Sequence, residues 1–447
     1  MPDHQNDKPP QLRRSLGLFD SIAILIGITI GAGIYSTPQI IAQYHSSFST
    51  IIVLWIAGGV FVYIGGLIYA ELGTRFPNTG GEYVYLSRAF GPYVGFIFGW
   101  AQLFIIRTSP AAGLAIVAVN YFEHFVVLTD FTHTALCILV IVLIGCVNYM
   151  GIKQASIYQN ISTIIKVGGL FLLVAFGFIA LQGQQNLLDS VAVPTTSVGP
   201  FGAFGAVMML IVFSYLGWDR LGYSAGEMKD PKRSIPIAMF TGIAVVILVY
   251  VLVNVLYHYV LGLEGVRADK TVASTTASEL FGPIGAALIA ITVIFSATGS
   301  INGTMMTAPR VYYAMARDKL FFAWFNFIHP KFKTPSRAIV AHCFWATVIL
   351  LVRQNFEDIV AGMTFAVLIF YIFTTLAFFK FRRQNAGDSD AYKMPLYPIL
   401  PAAYFLGLII LVGVRGYFEW EKSLIDLAFI VSGLPFALFF VNKKNAQ

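Results

Sequence analysis

Twelve long apolar stretches follow one another along the chain, at about 18–42, 48–71, 92–122, 134–150, 158–182, 201–222, 236–260, 281–312, 337–352, 358–379, 398–416 and 424–441. A helix needs about 20 apolar residues to cross the hydrocarbon of a bilayer. With no water at that depth, every backbone donor and acceptor must be satisfied within the segment, which leaves the helix as the natural form of such a stretch. Only 11% of the 447 residues are charged, against about 25% in soluble domains. An ordinary water-soluble enzyme is therefore excluded. The expected fold is an all-α integral membrane protein of twelve transmembrane helices forming one domain. Stretches 92–122 and 281–312 exceed a straight crossing and should tilt or project.

The basic residues give a direction. Twenty-one of the 29 Lys and Arg fall in segments on the side of the N-terminus. Five fall on the other side (Arg267, Lys270, Arg353, Arg415 and Lys422), and Arg107, Lys166 and Arg220 lie inside stretches. This bias places both termini in the cytoplasm of a cell membrane. The net charge of +7 is spread over these short loops, so no nucleic-acid partner is expected. Cys137, Cys146 and Cys343 all sit in apolar runs, which argues against a disulfide framework or a cysteine metal site. The segment Met1 to Ser15 is polar and lacks an apolar core of its own, unlike a cleaved signal peptide.

Two stretches are interrupted. The first contains Ile28-Thr-Ile-Gly-Ala-Gly-Ile-Tyr35, the sixth Phe213-Ser-Tyr-Leu-Gly-Trp-Asp219-Arg220. Glycine permits a helix to unwind. An unwound helix exposes carbonyls at the end of one half and N–H groups at the start of the next, with dipole partial charges of the same signs. A zwitterionic amino acid fits these poles: its carboxylate on the N–H groups of Gly31, Ala32 and Gly33, its ammonium on the carbonyl near Ile28. Paired interrupted helices at matching positions are the sequence pointer to a transporter site at the midplane, between two five-helix halves of opposite topology. The halves would be 16–182 and 201–380, with 398–441 as two added helices. Gly27-x-x-x-Gly31 also fits a simple close-packing motif, and the aromatics of the sixth stretch also fit a core stripe.

Charges inside the membrane narrow the choice. Asp219 is costly there and calls for a cavity or a partner, such as Arg220 or a backbone donor. Lys166, between Ile165 and Val167, is either a tethered cation in the site or a side chain that snorkels to the interface. Arg107 reads as one member of a structural pair. The polar segments Glu71 to Tyr83 and Gly226 to Pro236 are rich in turn residues and charge and should tie span ends and gate the inner vestibule. None of the common phosphate-cradling, zinc-protease or nucleophile-elbow motifs is present, so neither an enzyme nor a cofactor or metal is expected.

At these residues the sequence resembles the amino acid–polyamine–organocation superfamily, and within it the L-type amino acid transporter branch with its bacterial exchangers of serine and threonine. The resemblance runs from Leu16 to about Pro401. It rests on Gly31-Ala-Gly33-Ile-Tyr35, on Glu71 with Pro77-x-Thr-Gly-Gly-x-Tyr83, and on Arg107-Thr-Ser-Pro110. Phe213-Ser-Tyr-Leu-Gly-Trp-Asp219, Gly299-Ser-Ile-Asn-Gly303, Ile328-His-Pro330 and Tyr392-Lys-Met-Pro-Leu-Tyr-Pro398 extend it. It implies a five-plus-five inverted repeat of the LeuT-like kind with two extra helices, working by alternating access. It further implies substrate contacts at Ile28, Gly31, Ala32, Gly33, Phe213, Ser214 and Leu216. Phe213 and Tyr35 would act in gating. Lys166 would stand where sodium binds in related carriers, implying sodium-independent transport.

Three departures refine the expectation. Leu216 stands where carriers of large substrates have glycine, which favours small neutral amino acids such as alanine, serine or threonine. Asp219 replaces an asparagine of many relatives and leaves proton coupling open. The stretch from Glu123 to Thr134 has no cysteine, so a disulfide-linked heavy subunit is not expected. The leading expectation is a sodium-independent exchanger of small neutral L-amino acids. A proton-coupled symporter of the same fold comes second, and an amino acid sensor on a carrier scaffold third.

Overall fold

A computed structural model describes residues 16–77, 81–181, 188, 193–196 and 198–445. The polar segment Met1 to Ser15, and with it three of the basic residues used for orientation, lies outside them. The described chain is helical throughout, with no strand among the described residues.

Span 1 comprises α1 (Leu18–Thr29) and α2 (Gly33–Tyr44), bent by 43°. Span 2 is α3 (Phe48–Arg75), followed by a short α4 (Gly81–Phe90) at the same end of the bundle. Span 3 is α5 (Pro92–Ala101), a π-helical turn (Gln102–Ile106) and α6 (Thr108–Phe122). Spans 4 and 5 are α7 (Asp130–Met150) and α8 (Ile152–Ala180). Span 6 is α9 (Pro200–Tyr215) running into a 3-10 helix (Trp218–Glu227). Spans 7 and 8 are α10 (Pro231–Ala268) and α11 (Val272–Arg317), interrupted at Gly262 and Gly282 respectively. Then come α12 (Ser336–Arg353), α13 (Phe356–Arg383), α14 (Ile399–Phe418) and, as span 12, α15 (Trp420–Val431) with α16 (Gly433–Asn445). Eleven helices, with the bent pair as a twelfth, are long and apolar enough to cross a membrane. Each coincides with an apolar stretch of the sequence.

Local chemistry sets the ends. Pro92, Pro200 and Pro231 occupy the first turns of α5, α9 and α10, where the missing N–H costs nothing. Asp230 caps α10 through the Arg233 amide at 3.2 Å, and Asn355 caps α13 through the Asp358 amide at 2.7 Å. In span 3 the Arg107 amide and the Thr108 hydroxyl reach back five residues, to the carbonyls of Gln102 at 3.0 Å and Leu103 at 2.7 Å. The backbone bond is that of the π-helical turn just ahead of Pro110, and the hydroxyl satisfies the next carbonyl.

Burial separates a centre from a periphery. The most apolar windows of spans 3 and 10 are 94% and 78% buried, those of spans 4 and 5 only 22%. Spans 4, 5, 11 and 12 therefore present apolar side chains outward, as on α8, where Ile164 and Phe171 stand out from the surface. Such an outward face suits lipid.

Candidate functional site

The chain leaves helical geometry at Ile30, whose backbone is extended (φ −69°, ψ 102°), and resumes it at Gly33. In span 6 the break falls at Leu216 (φ −64°, ψ 148°) and Gly217 (φ 130°). The two breaks lie against each other. A Cβ on Gly33 would sit 2.9 Å from the Cα of Ser214, and one on Gly217 would sit 3.0–3.1 Å from Ile28. Gly217 is doubly constrained, since its positive φ also disfavours any side chain. The close packing expected of Gly27 and Gly31 is met at Thr163 and Ser300, where added Cβ atoms would lie 3.3 and 3.5 Å away.

Hydroxyls bind the breaks together. The Thr37 and Ser214 hydroxyls are 2.9 Å apart, and each also bonds its own helix, at Gly33 O and Leu210 O. The Tyr250 hydroxyl, on α10, lies 3.0 Å from both Thr29 O and Ser214 O. One phenol thus bridges the carbonyls that the two broken helices leave free. Sequence reasoning missed Tyr250. Its signal was a lone phenol in the run Val-Val-Ile-Leu-Val-Tyr-Val, where a mid-membrane hydroxyl must find a partner.

The predicted residues gather here. Ile28, Gly31 and Leu216 are half-buried, whereas Ala32, Gly33, Tyr35, Phe213 and Ser214 are buried. Phe213 meets the ring of Phe356 edge-on at 5.7 Å, closing the break from the end away from α4. Tyr35 contributes its carbonyl, which accepts from Tyr121 at 2.9 Å; its own hydroxyl has no partner among the described residues. At that same end Tyr44 donates to Glu357 at 2.5 Å, linking the tip of α2 to the start of α13.

Lys166 does not snorkel. It is 1% exposed on a helix whose other face is open. Its surroundings follow from register. Thr163 touches Gly27, so Lys166, one turn on in a parallel helix, is level with the break at Ile30 and Gly31. Against α11, Ser162 packs on Gly299 and Gly169 on Thr292, so Lys166 is level with Ser296. The Ser296 hydroxyl is buried without a partner among the described residues, and Ser300 packs on Gly31. No hydrogen bond or ion pair to Lys166 is found among the described residues; Arg220 repels it.

Asp219 forms no ion pair within 4 Å among the described residues, so Arg220 is not its contact partner. Arg107 and Arg220 act on it at longer range. Arg107 is more than a structural pair: its Nε donates to Gln102 at 2.8 Å, and its guanidinium lies 5.9 Å over the Tyr223 ring.

The α4 end is tied by charge. Glu71 is fully buried and receives Arg75 at 2.8 Å, Arg382 and the Met394 amide at 2.7 Å. Lys232 bonds Asp388 at 2.9 Å and holds that carboxyl below the usual carboxylate range. The polar loops do tie helix ends, as expected. They also hold an acid the sequence did not single out. Glu82, 4% exposed, accepts the Thr374 hydroxyl at 2.8 Å and faces Asp219 and Arg107.

Two helices broken at one level and clasped by hydroxyls, with a buried lysine beside the gap, define a carrier of the broken-helix class. The sequence comparisons agree. A family model described as amino acid permease matches residues 16–439. The chain is 30% identical over 439 residues to the serine/threonine exchanger SteT of Bacillus subtilis, covering 98% of each. It is 29% identical to the human b(0,+)-type amino acid transporter 1, over 98% of this chain and 90% of the relative. It is 27% identical to the rabbit large neutral amino acids transporter small subunit 2, over 95% and 80%. This chain belongs to the amino acid permease family and is a multi-pass membrane transport protein.

Proposed function

We propose that the protein is a sodium-independent exchanger of small neutral L-amino acids, built as two inverted five-span repeats, 16–182 and 201–380, with spans 11 and 12 (398–441) added. The observation that carries this is the apposition of the two breaks. It sets Gly33 against Ser214 and Ile28 against Gly217, so that the segment Gly31, Ala32 and Gly33 and the carbonyl of Ile28 stand beside the break that follows Phe213, Ser214 and Leu216. In this reading the N–H groups of Ala32 and Gly33, with that of Gly31 beside Tyr250, take the substrate carboxylate and the carbonyl takes the ammonium, each at the helix end of complementary sign. Phe213 covers the bound molecule, with Tyr35 behind it. Leu216 fills space that a larger side chain would need.

Lys166 supplies, from the protein, a positive charge at the level where carriers of this architecture take up sodium. That supports sodium independence. The basic residues of the α4 end support a cytoplasmic position for it, with both termini inside a cell membrane. The protein is proposed to work without a disulfide-linked heavy subunit. Of its three cysteines, Cys137 is buried and Cys343 half-buried, while Cys146 lies within the apolar face of α7. One relative carries the words small subunit in its name, so a non-covalent partner is the competing assembly.

Purified protein in liposomes tests the reading. Labelled serine or alanine should enter only when unlabelled amino acid is inside, and equally in sodium and potassium buffers. Uptake into empty liposomes under a sodium gradient overturns it.

A further inference from the structure

The transport cycle proposed above requires the α4 end to open and close, and one buried group there has chemistry that the substrate site does not use. Glu82 opens α4 within the loop Pro-Asn-Thr-Gly-Gly-Glu-Tyr. Directly before it, Gly81 (φ +49°) packs so tightly on span 6 that a Cβ there would lie 2.9 Å from the Tyr223 ring. On the next turn Tyr85 reaches Gly222, where a Cβ would be 3.3 Å from its hydroxyl. Helix α4 is therefore a plate closed on the 3-10 half of span 6, and Glu82 is pressed into the seam.

The groups facing Glu82 come from every side. Asp219 and Tyr223 lie on the 3-10 helix, Arg107 at the π-helical turn of span 3, and Tyr371 and Thr374 on α13. Tyr69 on α3, Tyr404 on α14 and Tyr85 on α4 itself complete the shell. The phenols are uncharged at physiological pH. The charges that matter are Asp219 and Arg107, with Arg220 behind them acting on both. Arg107 already leans on Gln102 and the Tyr223 ring. The seam holds one carboxylate opposite Arg107, and the second one, Glu82, is met by neutral hydroxyls, Thr374 at 2.8 Å and the phenol of Tyr69.

We propose that Glu82 is the proton-linked gating residue of the α4 end: α4 closes on span 6 with Glu82 neutral, and loss of its proton to entering water opens that end. Burial, with Asp219 adding to it, pushes the carboxyl up to about 8. Once the seam opens and the carboxyl is hydrated, it returns to an ordinary carboxylate value near 4.5. Between these two values the closed end binds one proton more than the open end. Raising the pH therefore favours opening, by at most about tenfold per pH unit, and the effect levels off above about 8. This assigns proton sensitivity to Glu82, and the part of Asp219 is to make a second carboxylate beside it unwelcome.

The test is amide hydrogen exchange over residues 218–227 of the full-length protein in lipid nanodiscs, between pH 5.5 and 9. Wild type is compared with Glu82→Gln at each pH, which cancels the intrinsic pH dependence of exchange. The wild-type to mutant ratio should rise several-fold from pH 6 to pH 8 and then flatten. A ratio that stays constant overturns the proposal. Thr374→Val is the second variant: its hydroxyl favours the carboxylate in the closed seam, so without it the levelling-off should move to higher pH. An unmoved levelling-off also overturns the proposal, and this arm stands if Glu82→Gln does not fold. No substrate is needed, so absence of exchange in liposomes would sink the transport reading while leaving this measurement decisive on its own.

Discussion

Span 1 and span 6 break at the same level but continue differently. Span 1 resumes an α-helix at Gly33 after a 43° bend and carries no charged side chain from Ile28 to Tyr44. Span 6 does not resume an α-helix: beyond Gly217 it winds as a 3-10 helix holding Asp219, Arg220 and Tyr223. Poorer hydrogen-bond geometry makes 3-10 segments easier to reshape. The first break thus offers rigid, neutral backbone donors, suited to what every amino acid shares. The second offers side chains and a deformable segment packed on α4, suited to what differs between substrates and to the state of the inner gate.

The sharpest way to break this division is to part the two halves. Gly33→Val puts a branched side chain where the backbone of Ser214 stands. Overpacking of this kind costs about 1–3 kcal/mol, and here it falls on the breaks themselves. Exchange in liposomes should drop by roughly 10- to 100-fold, since ~1.4 kcal/mol is tenfold in rate. Size-exclusion in detergent should still show folded protein. Substrate binding at wild-type strength would mean that Gly33 serves packing alone.

Lys166 tests the first half from behind. Level with Gly31 and Ser296, it fixes charge next to the rigid break, and Arg220 of the variable half acts on it only by repulsion. Lys166→Ala should slow exchange by about tenfold, read as a loss in kcat/KM, while expression stays within about twofold of wild type. A parallel loss of both would make the lysine a structural cation.

Much of this was legible in the sequence because the bilayer imposes a coarse rule. Each of the twelve apolar stretches became a span, and glycine at 31, 33 and 217 marked both breaks. What was not legible depends on pairs far apart in the chain. Tyr250 meets Thr29 and Ser214 across 221 and 36 residues, and nothing in its own neighbourhood tells which carbonyls it serves. The two readings of Lys166 separate only through the register of α8 on α1 and α11. Glu71 and Glu82 looked alike as loop-end acids. Three donors, two of them charged, surround the first, while the second meets neutral hydroxyls and faces Asp219, a difference set by α13 and span 6. Asp219 drew attention by its place in the membrane, yet the buried carboxyl that burial and charge turn neutral lies outside the spans.

The smallest expected effect concerns the variable half. Leu216 caps α9 with its amide on Phe213 O at 3.0 Å, and its side chain is half-buried against the core. Replacing it by glycine removes four carbon atoms beside the substrate without removing a hydrogen-bond donor, since the cap is made by the backbone. A change of this size in an apolar pocket alters discrimination by about 1–3 kcal/mol per methylene at most, less where the pocket relaxes. Leu216→Gly should therefore raise leucine exchange relative to alanine exchange by about tenfold, with the alanine rate itself little changed. The ratio is the informative quantity: it cancels any general loss from a looser α9 end, because both substrates share the contacts of span 1. An unchanged ratio would show that side-chain selection does not reside at the break in span 6, and the contrast between a common half and a selective half would fail there.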